Sequence, residues 1–403
     1  MKNEIHERPE IYPTATHHTM SLKIFFLLFA TSVAGLTATT RRAETAASRE
    51  TDKDLPVLRK AYEKDFLVGV ALNSRMVNDP NSKAGELAGK QFSCLTAEND
   101  MKWQSIHPQP DRFQFQSADA YFEYARKNKM AVIGHTLVWH SQTPGWVFEG
   151  EGGNPATREQ LLKRMHDHIH EIVSHYKGKA KGWDVVNEAL SDGGPDILRD
   201  SPWRRIIGDD FLDYAFRYAK EADPEAEFYY NDYGLENERK RANAVKLLKR
   251  MLERGVPITG VGTQSHFQLN HPSTEEIERT IKDFSALGLK VMVTELDVDV
   301  LPARGAAGNA DINRREQGDS TTNPYTAGLP DVMQEKLAKR YAGIFVVYLR
   351  NRKSITRVTF WGLDDGQSWL NGFPIRGRTN HALLFDRDLK PKPAFFAVIK
   401  AER

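Results

Sequence analysis

Two acids two residues apart, Glu295 and Asp297, are the first residues of this sequence that could do chemistry together. Alternate side chains of an extended strand share a face, so both carboxyls point the same way. Gln264 and His266 repeat that spacing earlier in the chain. If the two segments are neighbouring strands, an imidazole stands between two carboxylates and can hold Glu295 ionised and aimed, as a nucleophile of low pKa requires. A plain structural ion pair would leave the same pattern. A third acid, Glu188, follows Asn187 at the end of another apolar run. Carboxylates at two strand ends, framed by indoles and amide side chains, suit hydrolysis of a glycosidic bond. One carboxyl donates a proton, the other attacks or activates water, and aromatic faces stack on sugar rings.

Those residues need a frame that brings distant segments together. Eight short apolar and β-branched runs recur at 66–72, 92–97, 130–138, 182–187, 226–231, 258–265, 290–296 and 356–363. Helical patterns separate them. After the fifth run Ala244, Leu247, Leu248 and Met251 repeat at helical steps before Gly255, a C-terminal stop. Another helix starts at Ser273 with Glu276 completing a capping box, carries Ile277 and Ile281, and ends near Gly288. Strands alternating with helices imply a parallel sheet with right-handed crossovers. Eight repeats predict a single (β/α)₈ barrel over residues 54–403, with a doubly wound open sheet as the alternative.

A barrel strand is apolar until it emerges, so polar residues at C-terminal strand ends carry most information. Strand two exits through Glu98, Asn99 and Lys102, strand three through His135, Trp139 and His140, and strand four through Asn187 and Glu188. Strand five gives Asn231, Asp232 and Tyr233, strand six Gln264 and His266, strand seven Glu295 and Asp297, and strand eight Trp361 and later Trp369. The segment 299–330, rich in Gly, Ala, Asn and Arg, reads as a long loop after strand seven, the kind that often forms a lid.

Composition removes several other classes. The chain has 403 residues, 40% hydrophobic and 27% charged, with 56 Lys plus Arg against 54 Asp plus Glu for a net +2. No basic run supports a nucleic-acid footprint. The single cysteine, Cys94, lies in an apolar run and reads as a buried inert thiol. His166 and His170 stand at metal-binding spacing with His168 between them, but no carboxylate motif accompanies them, and packed or surface histidines are expected instead. Gly260 and Gly262 lack a third glycine and a helix start, so they read as strand packing. No metal or cofactor is expected. The apolar run Ile24–Leu36, too short to span a bilayer comfortably and followed by small residues, reads as a signal peptide. The polar stretch before Met20 suggests translation from that methionine. Residues 1–38 form the expected leader and 39–53 a flexible segment, giving a secreted or periplasmic protein with no stable membrane insertion after processing. An uncleaved anchor is the competing reading.

Seven ordered segments resemble the family 10 glycoside hydrolases, the endo-β-1,4-xylanases built on (β/α)₈ barrels. They are Leu95-Thr-Ala-Glu-Asn-Asp-Met-Lys-Trp103, Gly134-His-Thr-Leu-Val-Trp-His140, Trp183-Asp-Val-Val-Asn-Glu188, Tyr230-Asn-Asp-Tyr233, Gly262-Thr-Gln-Ser-His266, Thr294-Glu-Leu-Asp297 and Thr359-Phe-Trp-Gly362. The resemblance covers about Leu67 to Phe396. It implies a retaining mechanism with Glu188 as acid/base and Glu295 as nucleophile. Asn187 would bond the sugar 2-hydroxyl, and His266 and Asp297 would orient Glu295. Glu98, Asn99, Lys102, His135, Trp139, Gln264, Trp361 and Trp369 would bind the glycone side, and Tyr233 the aglycone side. The implied partner is xylan or a xylo-oligosaccharide, bound by a monomer. Pleating would send Asn187 and Glu188 to opposite faces, so strand four must bend at its end. The insert after strand seven and the loop between Trp369 and Leu383 depart from the family pattern and are expected to flank the cleft. Two other readings compete: a barrel hydrolase acting on β-glucan or cellulose, and a non-catalytic sugar-binding barrel.

Overall fold

The computed structural model describes residues 55–79, 81–302 and 316–402; the expected leader and flexible segment lie outside them, as does 303–315 of the expected loop. Eight parallel strands close on themselves. They are β1 (Leu67–Leu72), β2 (Cys94–Ala97), β3 (Ala131–Trp139), β4 (Gly182–Asn187), β5 (Glu227–Asp232), β6 (Gly260–Thr263), β7 (Lys290–Asp299) and β8 (Ile355–Phe360). Each pairs with the next, and closure comes from β8 against β1, with Val358 opposite Val68. The barrel replaces the open-sheet alternative.

Each strand is followed by a helix: α1 (Lys83–Gln91), α2 (Phe115–Asn128), α3 (Arg158–His175), α4 (Phe211–Ala222), α5 (Glu238–Glu253), α6 (Thr274–Ser285), α7 (Asp331–Arg350) and α8 (Pro393–Ile399). In α5 the stripe Ala244, Leu247, Leu248 and Met251 is buried, Asn237 accepts from the N–H groups of Arg239 and Lys240, and Gly255 ends the element at φ +66°. The capping box of α6 is present, Ser273 with Glu276, and losing such a cap costs about 1 kcal/mol. Ile277, Ile281 and Phe284 of α6 are buried, each contributing roughly 1.5–3 kcal/mol of transfer free energy. Among the described residues no helix is long and apolar enough to cross a membrane.

Glycines make room for large interior side chains. A Cβ at Gly134 of β3 would stand 2.1 Å from the ring of Trp183 on β4. Gly262 of β6 does the same at the cleft, because a Cβ there would meet Oδ1 of Asn231 at 2.4 Å, and Asn231 belongs to the cleft floor described below. Cys94 is fully buried beside Ile133, Tyr229 and Met292. His168 is also fully buried, stacked 3.5 Å from Trp103 and bonded through Nδ1 to Nδ1 of His107 at 3.1 Å. It fills core rather than facing a ligand.

One expectation needs correction and one gains detail. The sixth run is not one strand to residue 265: β6 stops at Thr263, Ser265 adopts φ +63°, and a short separate strand His266–Gln268 pairs with Asp297–Asp299. The described part of the 299–330 segment is not structureless. Its Glu316–Gln317 pairs in parallel with Ile375–Arg376 of the loop after Trp369, and Asn323 bonds Gly377 O at 3.0 Å and the Thr379 N–H at 2.8 Å. The two segments therefore brace each other.

Candidate active site

The strand exits open into one cleft of about 1130 Å³. Glu98, Asn99, Lys102, His135, Trp139, Asn187, Glu188, Tyr233, Gln264, His266, Glu295, Trp361 and Trp369 all line it. Asp297 is fully buried behind His266 and Trp369, accepting from Nε1 of Trp369 at 2.7 Å.

The bend required at β4 is a single residue. Glu188 adopts φ +58°, in the left-handed region that a residue with a Cβ rarely enters, and so turns to the cleft beside Asn187. Its N–H bonds to Asn231 O at 2.8 Å. Nε1 of Trp139 donates to Oε2 at 2.7 Å and Nε2 of Gln264 to Oε1 at 2.8 Å. Burial pushes its carboxyl up to about 7, helped by the charges of Asp232 and Glu295 against the two donors.

Glu295 meets the opposite environment. Asn231 Nδ2 donates to Oε1 at 2.8 Å, and His266 Nε2 lies 3.2 Å from Oε2. Burial alone would raise this carboxyl too. The His266 hydrogen bond, the charges of His135 and His266 and the Asn231 amide outweigh it and hold Glu295 below the usual carboxylate range. His266 Nδ1 lies 3.1 Å from Asp297. Burial would lower the imidazole, but Asp297 and Glu295 lift it to about 10, so both ring nitrogens donate at neutral pH.

Three amide side chains connect the glutamates. Gln264 Nε2 also reaches Asn187 Oδ1 at 3.3 Å, and Asn231 Nδ2 reaches the same oxygen at 3.0 Å while its own Oδ1 accepts from Thr294 at 2.7 Å. Asn231 appeared in the sequence only as one of several polar residues ending strand five. Its contact with Glu295 depends on the β5–β6–β7 curvature, which sequence spacing does not display.

One wall carries Glu98, Asn99 and Lys102. Lys102 Nζ donates to Asn99 Oδ1 at 2.9 Å and Gln142 Oε1 at 3.0 Å, 5.0 Å from the Trp139 ring centre. His135 Nδ1 lies 3.0 Å from Asp184, fixing its ring, and Trp361 packs edge-on at 5.3 Å. Trp369 stacks on Phe373 at 4.9 Å. The opposite wall holds Tyr233, Asp192 and Lys240. Lys240 Nζ sits 3.5 Å from the Tyr233 ring centre and 2.8 Å from Asp192. Arg199, behind that wall, and Asp192 carried no signal in the sequence reading.

Comparison with known proteins agrees with the geometry. The chain is 45% identical over 345 residues to endo-1,4-beta-xylanase A of Xylanibacter ruminicola, covering 86% of this chain and 93% of the relative. A solved GH10 endoxylanase from a sugarcane soil metagenome superposes with TM-score 0.83 at 43% identity, over 86% of this chain and all of that one. A mutant xylotriose complex superposes with TM-score 0.78 at 38% identity, over 86% of this chain and 100% of the other. The family model for glycosyl hydrolase family 10 matches residues 57–401, and with buried glutamates at the strand ends of a closed barrel, this chain belongs to that family.

Proposed function

We propose that the protein is an exported endo-1,4-β-xylanase that cleaves internal xylosidic bonds with retention of configuration. The observation that carries the reading is the divergence of two glutamates on one cleft: Glu188 pushed up to about 7 and Glu295 held low. Two carboxyls whose surroundings drive their pKa values apart divide into acid and nucleophile.

In the first step Glu295 attacks the anomeric carbon, the glycosidic C–O bond breaks, and the Glu188 proton passes to the leaving oxygen. The covalent ester removes the charge of Glu295, which lowers Glu188 and makes it a base. Glu188 then takes a proton from water, the hydroxyl attacks the anomeric carbon from the face the first sugar left, and Glu295 departs as carboxylate. Asn187 bonds the 2-hydroxyl. Glu98, Asn99 and Lys102 supply hydrogen bonds to a glycone ring, and Trp361 or Trp369 closes the room that a glucose hydroxymethyl would need. Endo-xylanases among the relatives and a xylotriose complex support the substrate class. The leader from Ile24 to Leu36 supports export to the periplasm or the medium.

The test is a product and stereochemical profile. Xylan should be preferred over carboxymethylcellulose at least about tenfold in kcat/KM, a difference of about 1.4 kcal/mol. Early products should be β-anomers by proton NMR. Equal rates on both polymers would point to a β-glucan hydrolase, initial α-product to inversion, and no activity on either to a sugar-binding barrel.

A further inference from the structure

We infer that Arg199 is a positioning residue for Glu188, one that ties the aim of the acid/base to the wall on which the leaving group rests. The inference depends on the acid/base role proposed for Glu188. Its basis is the backbone of that residue. A non-glycine side chain keeps a left-handed φ only where the surroundings over-determine it. Glu188 at φ +58° has four tethers. Three come from the barrel: its N–H to Asn231 O, and its carboxyl from Trp139 and Gln264. The fourth is different. Arg199 Nε donates to the Glu188 carbonyl at 3.0 Å from an excursion of the chain that leaves β4 and returns. Its N–H bonds to Ala189 O at 2.8 Å and Ser191 N to Ile197 O at 2.9 Å, which closes the excursion.

The far end of the same guanidinium reaches the cleft wall. Nη2 lies 2.9 Å from Asp192 Oδ2 and 2.9 Å from Tyr233 Oη, and both residues line the cleft. The Tyr233 hydroxyl also donates to Asp192. Lys240 pairs with Asp192 at 2.8 Å and Asp232 at 3.0 Å, so two cations face two anions and the charge of Arg199 is answered locally. What remains particular to arginine is shape. A planar fork fixes the angle between the Glu188 carbonyl and the Tyr233 hydroxyl, and a lysine nitrogen at one point cannot hold both ends.

Aim matters unequally to different substrates. A sugar alkoxide leaves only with a proton delivered on line, whereas an acidic phenol leaves with little help. Arg199→Gln should therefore lose roughly 10- to 100-fold in kcat on xylotriose, the scale set by small misplacement of a reacting group. The burst of phenol from a dinitrophenyl xylobioside, which reports glycosylation alone, should stay within about threefold of wild type. Arg199→Lys, which can restore one of the two contacts, should fall between, and it decides the matter if Arg199→Gln does not fold. An equal loss on both substrates, or none on xylotriose, overturns the inference. Glu188→Ala on the same pair separates the two levels. If it shows no leaving-group discrimination, the acid/base assignment itself fails; if it discriminates and the Arg199 variants do not, only the positioning role fails.

Discussion

His266 donates from Nε2 to Glu295 at 3.2 Å while Asp297 holds its other ring nitrogen at 3.1 Å. Because the imidazole is lifted to about 10, this pair keeps a cation beside Glu295 throughout the neutral range. The first prediction is a bell-shaped pH profile for kcat/KM. Glu188 must be protonated to act as acid, so activity falls as pH rises through about 7. Glu295 must be ionised to attack, so activity falls on the acid side only below the ordinary glutamate value of 4.5. Asp297→Asn removes the anion that sustains the imidazolium and should move the acid limb upward. A profile still flat at about pH 9 would detach Glu188 from the acid role.

The second prediction separates the glutamates by rescue. Glu188→Ala should lose xylan hydrolysis, by roughly 100-fold or more for a missing general acid, yet still release an acidic phenol and then stall as the covalent intermediate. Azide needs no base, so it should restore turnover and yield a β-glycosyl azide. Glu295→Ala should lose both substrates. Substantial aryl-glycoside turnover by Glu295→Ala, or its rescue to a β-product, would reverse the assignment.

How far the sequence reached is set by what each residue depends on. The strand exits were legible because a barrel strand is buried until it emerges, so a Glu, Asn or Trp at its end breaks an apolar run. Helix α6 was legible from a local box, Ser273 with Glu276. The turn at Glu188 was only inferred as a bend, since a glutamate at positive φ has no local mark and is held by Asn231, Trp139, Gln264 and Arg199 from elsewhere in the chain. Ser265 broke the sixth strand for the same reason. Glu316–Gln317 joined Ile375–Arg376 in pairs too short to show a period of two. His168 looked like one of three repeated histidines, and only the stack with Trp103 and His107 distinguishes it from a surface residue.

Asn231 gives the third prediction. Its Nδ2 is shared between Glu295 and Asn187, and Thr294 fixes its orientation, so it sets both the charge state of the nucleophile and the place of the amide beside it. A hydrogen bond to a charged group contributes about 1.5–3 kcal/mol, and its loss in Asn231→Ala should lower kcat on xylotriose roughly 10- to 100-fold. The acid limb of kcat/KM should rise, because Glu295 loses a donor. Asn231→Asp should raise it further by setting a second anion against the carboxylate. An unmoved acid limb in both variants would show that Asn231 does not tune Glu295.

The last prediction concerns stability. Glu188 titrates at about 7 in the fold against 4.5 for the ordinary group. Between those values Glu188 holds more proton in the folded state than in the unfolded state, so its contribution to wild-type stability falls as pH rises across the window and is constant outside it. The full span is roughly 3 kcal/mol at 1.36 kcal/mol per unit. Glu188→Gln cannot titrate and has no such slope. It should not be better at every pH, however, because Trp139 and Gln264 both donate to Glu188 and an amide must set its own N–H₂ against one of them, at a cost of about 1 kcal/mol. The variant should therefore be slightly less stable than wild type near pH 4 and about 2 kcal/mol more stable near pH 8, crossing in between. Urea denaturation at a series of pH values reads this directly. A stability difference that does not change with pH would mean that the buried carboxyl is not the strained group that burial makes it.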